Sequence, residues 1–344
     1  MVDLLFIIPL ILVIVLYRNK TGENKFFIFL FMAFLFVLYG FRSAYGEAND
    51  THNYLTVFTY GEEYMRTFKE PGYSWINVWI LRKGLGFQWV LVIMAVIYCI
   101  SLFWAAKRSD RKTIEVLIFY FLLTYYFYAF NAMRQMTALN ILLVGYTYLY
   151  DKKWIKFIIC VLCASLFHKT SLIVLPFVVF SFINLKFNNV FVCATLLLSL
   201  VVGSQNITAT WLGFVADWFP DYVSSDVESS AVGSSFSFSR LTLTFFFMYI
   251  YCVSKEKNIY LSIVFIGIVL FNLMSFNTAA MRIAYTMTPV QALLYADCLK
   301  QKMFTKQSRN YIIIYSFFLY YYMLLNNISD MLNFEFCNMS SFSA

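Results

Sequence analysis

An all-α, polytopic membrane bundle of about 12 transmembrane helices is the fold class this sequence predicts. Three observations carry it. Hydrophobic residues make up 61% of the 344 and charged residues only 13%, against roughly half and about a quarter in soluble domains. The apolar residues fall in runs approaching the ~20 that a membrane helix needs. The basic residues fall in alternate loops between those runs, as the positive-inside rule requires.

Taken in order, the spans are 3–17, 26–41, 88–106, 114–130, 133–150, 154–167, 171–183, 188–203, 241–254, 259–276, 283–299 and 311–325. The first lacks a basic leader and a small-residue cleavage site, so it reads as a retained helix rather than a signal peptide. Stretch 73–81 is apolar and aromatic but too short to cross, which predicts an interfacial or re-entrant helix. Residues 125–171 read as two helices turned antiparallel by Asp151-Lys152-Lys153. The chain is thus expected to form one polytopic domain, 1–344, with two long external loops at about 42–87 and 204–240.

Those loops are comparatively acidic and lie opposite the basic ones, so the acidic side is expected to be external and the basic side cytoplasmic. The net charge of +8 does not indicate a nucleic-acid partner, because the basic residues form no stripe or arm. They read as topology signals and anchors for anionic membrane lipid. Seven cysteines are scattered, and the Cys160-x-x-Cys163 pair has no second pair or histidine near it. Small helix residues account for it better than a metal or redox motif. The Ser/Gly-rich stretch 224–239 reads either as a flexible tether or as a lid over a site.

The exceptions to this charge pattern are the candidate functional residues. Arg42, Arg134, Arg240 and Arg282 sit at or just inside the outer ends of spans. An arginine there costs roughly 2.5–3.5 kcal/mol on insertion scales and persists mostly where it has a partner or a site to serve. A guanidinium offers a planar, permanently charged fork that fits phosphate oxygens. Each alone could instead snorkel or pair with a loop carboxylate.

His168 is one of only two histidines and lies at the outer end of its span. It could take a proton from a sugar hydroxyl, or merely bond to backbone carbonyls. Ser171 and Pro176 are expected to break the helix beside it. Asp50, His52 and Tyr54, spaced by two, would face one way on an extended segment; one Asp and one His are too few for a metal site. Asp50 is a second base candidate, or the orienter of an arginine. Glu70-Pro71-Gly72-Tyr73 reads as a turn with Glu70 and Tyr73 pointing toward the bilayer surface. The clusters at 125–128 and 320–322 read as interfacial aromatic belts.

Arg42 with Asp50-Thr51 and Tyr54, then Glu70-Pro71-Gly72-Tyr73, then Asn131-x-x-Arg134-Gln135 with Ala138, then Phe167-His168-x-x-Ser171, together resemble the EpsG-like family of bacterial polysaccharide polymerases. These are Wzy-type proteins of capsule, O-antigen or exopolysaccharide assembly. The resemblance covers about 42–180; beyond it only hydropathy agrees, with Arg282 as a further counterpart. It implies a GT-C-like bundle in the bacterial inner membrane that joins undecaprenyl-pyrophosphate-linked repeat units at the periplasmic face, without metal, nucleotide or other cofactor. It also implies His168 or Asp50 as base with Arg134 among the catalytic residues, and Arg42, Arg134, Arg240, Arg282, Glu70, Tyr73 and Gln135 holding pyrophosphate and sugar. A chain-length regulator and a flippase of the same pathway are the implied partners. Two other classes stand beside it. One is a flippase or exporter of the lipid-linked sugar, and the other is a membrane O-acyltransferase of the same polymer.

Overall fold

The structure is a computed structural model and describes residues 2–18, 24–44, 50–66, 70–109, 112–183, 187–204, 238–275, 278–299, 304–327 and 335–342. Seventeen α-helices lie among the described residues. They are α1 (Val2–Arg18), α2 (Lys25–Gly40), α3 (Asp50–Thr59), α4 (Glu62–Met65), α5 (Pro71–Arg82), α6 (Gln88–Arg108), α7 (Thr113–Leu122), α8 (Tyr125–Asn131), α9 (Met133–Tyr150), α10 (Trp154–Ser165), α11 (Phe177–Ile183), α12 (Asn189–Ser204), α13 (Phe238–Val253), α14 (Ile259–Leu273), α15 (Thr278–Tyr285), α16 (Val290–Cys298) and α17 (Lys306–Leu325). Two 3-10 turns, Lys169–Val174 and Met339–Phe342, complete them. Apolar chain folds this way because a helix satisfies its backbone within the segment, which lipid demands. No strand occurs among the described residues beyond one antiparallel bridge, Arg42 to Phe336.

The scaffold is α9, packed between α6 and α10. The α9–α10 hairpin turns at Lys152, which adopts a left-handed φ of 59°. The Lys153 amide donates to Tyr148 O at 2.8 Å. Arg108 anchors the turn from α6 by pairing with Asp151, its guanidinium 3.8 Å above the Tyr148 ring. Gly145 lets the two helices close, since a Cβ there would lie 3.1 Å from that of Cys160. Cys160 is therefore a packing residue, as its sequence context predicts, and both Cys160 and Cys163 are free thiols. Among the described residues the buried apolar side chains form one connected cluster, with members from Leu5 to Leu324.

Among the described residues, α6 alone is long and apolar enough to cross a membrane as a single helix. Its exposed Trp89 and Trp104 stand about 22 Å apart at ~1.5 Å per residue. Several other apolar helices have only 10–17 residues.

Two expected spans are broken. Stretch 114–130 bends by 56° between α7 and α8, where Thr124 takes a φ of 63°. Stretch 283–299 divides into α15 and α16 around Thr286–Pro289. Tyrosines satisfy the carbonyls freed at the second break. Tyr146 donates to Thr286 O and Tyr125 to Thr288 O, each at 2.8 Å. Tyr125, Tyr126 and Tyr320 are thus buried structural donors and not the interfacial belt predicted for their clusters.

The C-terminal segment returns to the end of α2. Ser43 N donates to Glu335 O at 2.7 Å and Cys337 N to Phe41 O at 2.9 Å. Phe342 packs on Phe41 and Trp89, with ring centroids 6.0 and 5.5 Å away.

Candidate functional site

Three helix ends meet at one carboxylate. Glu70 is the N-cap residue of α5, where the partial positive charge of the helix end favours an anion. Pro71 starts the helix with its φ preset and no amide hydrogen to satisfy. The Gly72 amide donates to Leu166 O at 2.9 Å. A Cβ at Gly72 would sit 2.9 Å from that same oxygen, so only glycine permits the approach. Glu70 is thereby locked beside the end of α10, two residues before His168.

Arg134 is the second residue of α9, a helix start created by the kink at Ala132 (φ −99°, ψ 56°). A cation at a helix N-terminus is placed against the dipole by about 0.3–1 kcal/mol, and Glu70 compensates. Arg134 Nη1 meets Glu70 Oε2 at 2.6 Å, with side chains only 18% and 7% exposed. The guanidinium also lies 5.1 Å from the Tyr54 ring and 5.6 Å from the Tyr73 ring, a cation–π cage. Removing one partner from such a shielded pair costs roughly 3–5 kcal/mol.

His168 follows α10 with an extended backbone (φ −158°, ψ 119°) and leads into the 3-10 turn. The predicted helix break near Ser171 and Pro176 is therefore present. Its Nδ1 lies 3.5 Å from Glu70 Oε1, longer than a formed hydrogen bond. Neither ring nitrogen has a hydrogen-bond partner. Burial pushes the imidazole below its ordinary value. Glu70 raises it again, while Arg134 and Arg282 add to the lowering. Burial acts to raise the Glu70 carboxyl, yet His168, Arg134 and Lys169 hold it below the ordinary carboxylate value. The pair at neutral pH is a neutral imidazole beside a charged carboxylate.

Arg282 joins through its helix. Gln135 Nε2, one residue after Arg134, donates to Arg282 O at 2.8 Å, and α15 packs against the 3-10 turn after His168. Arg134, Arg282, Gln135, His168, Glu70 and Tyr73 therefore share one neighbourhood.

Other predicted residues are placed differently. Arg42 is 3% exposed, donates to Tyr39 O at 3.1 Å and Thr51 Oγ1 at 3.3 Å, and lies against the Tyr39 and Phe130 rings. Thr51 in turn donates to Phe130 O at 2.6 Å, so Arg42 ties α2, α3 and α8 together. Arg240 opens α13 and donates to Ser275 after α14.

Two local expectations are corrected. Residues 50–59 form helix, not extended chain, so Thr51, Tyr54 and Phe58 share the buried face while His52 is exposed. Asp50 begins that helix, and its side chain lies outside the described residues. Glu70 and Tyr73, expected at the bilayer surface, are 5% and 0% exposed; α5 instead turns Trp75 and Trp79 outward. The Ser/Gly-rich stretch 224–237 also lies outside the described residues.

An all-helical membrane protein with a buried carboxylate–arginine–histidine cluster, assembled from separate stretches of chain, is the class that this fold and composition define. The chain belongs to the EpsG family, whose pattern matches residues 25–341, a family that includes Wzy-type polymerases. No curated protein and no solved structure matches the chain.

Proposed function

We propose that this protein polymerises undecaprenyl-pyrophosphate-linked oligosaccharide repeat units into a surface polysaccharide at the periplasmic face of the bacterial inner membrane. The observation that carries it is the meeting of Arg134 and His168 at Glu70, with Arg282 near enough to act on His168, in a chain of the EpsG family. His168 takes the proton of the acceptor hydroxyl, and that oxygen bonds to the anomeric carbon of the donor sugar. The bond from that carbon to the pyrophosphate breaks, and the lipid pyrophosphate leaves with the electron pair. Arg134 and Arg282 meet the charge that grows on its oxygens, a stabilisation worth a few kcal/mol per preplaced donor, about 2.7–4 in measured oxyanion cases. Tyr54 and Tyr73 hold Arg134 in place, and Gln135 sets the spacing to α15. Arg42 supports the outer end of the bundle, and Arg240 ties the start of α13 to the end of α14. Asp50 is the alternative base.

Twelve crossings with the acidic loops outside fit the returning C-terminal segment. Ten spans separate Arg42 from Phe336, an even number, and the two residues meet. A flippase or exporter is the second reading, since broken helices such as α7–α8 and α15–α16 mark transport sites. Tyr125 and Tyr146 cover carbonyls at the α15–α16 break, which favours a structural use of it. An O-acyltransferase would need a donor delivered from the cytoplasmic side, away from His168.

The test is reconstitution of the purified protein with lipid-linked repeat units on both leaflets of a vesicle. A polymer ladder with release of undecaprenyl pyrophosphate is expected. Transfer of intact single units between leaflets, with no ladder, would establish the transport reading instead.

A further inference from the structure

We infer that Glu70 is a positioning residue for His168. Its carboxylate keeps the imidazole proton on Nδ1, so that Nε2 presents its lone pair to the acceptor hydroxyl. This assignment rests on the proposed role of His168 as the base of the polymerase.

The carboxylate divides its two oxygens. Oε2 is held by Arg134 Nη1 at 2.6 Å, and Oε1 faces His168 Nδ1 at 3.5 Å. Arg134 thus fixes the carboxylate plane, and a shift of about half an ångström closes a normal N–H···O bond. The backbone on both sides is fixed as well. Gly72 N is bonded to Leu166 O, and His168 N to Ala164 O at 3.0 Å, so neither partner can swing away without opening the α5–α10 contact.

Nε2 supplies the independent observation. It belongs to a residue 4% exposed, and it has no hydrogen-bond partner. A buried polar atom left so is costly and asks for an explanation. An acceptor lone pair awaiting a hydroxyl donor provides one. The opposite tautomer would leave Nε2–H unsatisfied and set the Nδ1 lone pair against a carboxylate oxygen, which is repulsive. The charged groups acting on His168 are Glu70 from the start of α5, Arg134 from α9 and Arg282 from α15, while Lys169, next in sequence, acts on Glu70. Glu70 is the anion among them, so the proton's position turns on it.

The experiment uses the fact that the chain has two histidines. In the full-length His52→Gln protein, ring-15N-labelled histidine gives the signal of His168 alone. The expected result at neutral pH is a protonated Nδ1 and an unprotonated Nε2. Glu70→Ala should mix the tautomers and move the titration of His168 to lower pH, because burial, Arg134 and Arg282 then act without opposition. Turnover should fall by roughly 10²–10⁴, the range for a misplaced general base, with KM for the repeat unit little changed. Glu70→Asp should recover part of the turnover and the tautomer. An Nε2-protonated ring in the Glu70 protein overturns the assignment, and that measurement needs no variant at position 70. An unchanged tautomer in Glu70→Ala overturns it too. The expected tautomers in a protein that makes no polymer would defeat the polymerase reading while leaving Glu70's hold on His168 established.

Discussion

Glu70 and Arg134 meet at 2.6 Å across 64 residues of sequence, and the contact joins the first turns of two different helices. The carboxylate sits where a helix dipole welcomes it, and the guanidinium sits where a dipole opposes it. The pairing makes the second placement tolerable. It also holds a permanent cation, caged by Tyr54 and Tyr73, beside a histidine that stays neutral.

Arg134→Ala should leave an inserted protein whose product is single repeat units, with polymerisation down by about 10²–10³ as for loss of one preplaced donor. Arg134→Lys should recover little, because a point charge does not replace the guanidinium fork. Gel analysis of the polysaccharide beside a membrane-fraction blot reads both. Wild-type chain lengths from Arg134→Ala would remove it from the mechanism.

Gly72→Ala tests the join between α5 and α10. Its Cβ would press on Leu166 O at 2.9 Å and push Glu70 away from His168. The expected outcome is a near-normal expression level with polymerisation lowered at least tenfold. Gly84→Ala, at a glycine with open space around it but a φ of +66°, should carry only a modest stability cost and keep activity.

The pH dependence has a defined sign. His168 is depressed by burial, so its folded value lies below the unfolded one of about 6.5. Below ~6.5 the unfolded chain binds the proton more readily, so stability is fully present above that pH and declines as the medium acidifies toward the folded value. The base form is lost through the same folded value, so the acid limb of the rate profile should fall below about 6.5. Rates across pH 4.5–8 in proteoliposomes check this. A limb centred above 7 would contradict a buried, neutral His168.

Arg42→Ala should destabilise more than it disarms. It removes two hydrogen bonds and two ring contacts from a 3%-exposed side chain. A cost of about 1–3 kcal/mol is expected from the polar groups left behind, visible as a lower melting temperature in detergent. Activity per folded molecule should change less than in Arg134→Ala.

The C-terminal return predicts that Arg42 and Phe336 share one side of the membrane. A variant retaining Cys337 as its single cysteine should react with a membrane-impermeant maleimide from the same side as a cysteine placed at His52. Opposite sides would break the even count of crossings between Arg42 and Phe336.

Local sequence alone determined the helical class, the α9–α10 turn at Asp151-Lys152-Lys153 and the short α5, and it singled out Arg134, His168 and Arg282 as candidates. Each is written in apolar run length, in a charge that breaks the loop pattern, or in a short motif, and such signals are read over a few residues. Tertiary structure alone decided that Glu70 and Tyr73 turn inward, that 50–59 coils with His52 outside, and that two apparent spans break at Thr124 and Thr286–Pro289. Those outcomes depend on partners far along the chain. A carboxylate goes inward where a guanidinium waits for it, and a helix breaks in an apolar setting where a hydroxyl takes up a freed carbonyl, from distant tyrosines at Thr286–Pro289 and from Thr124 itself at the other break.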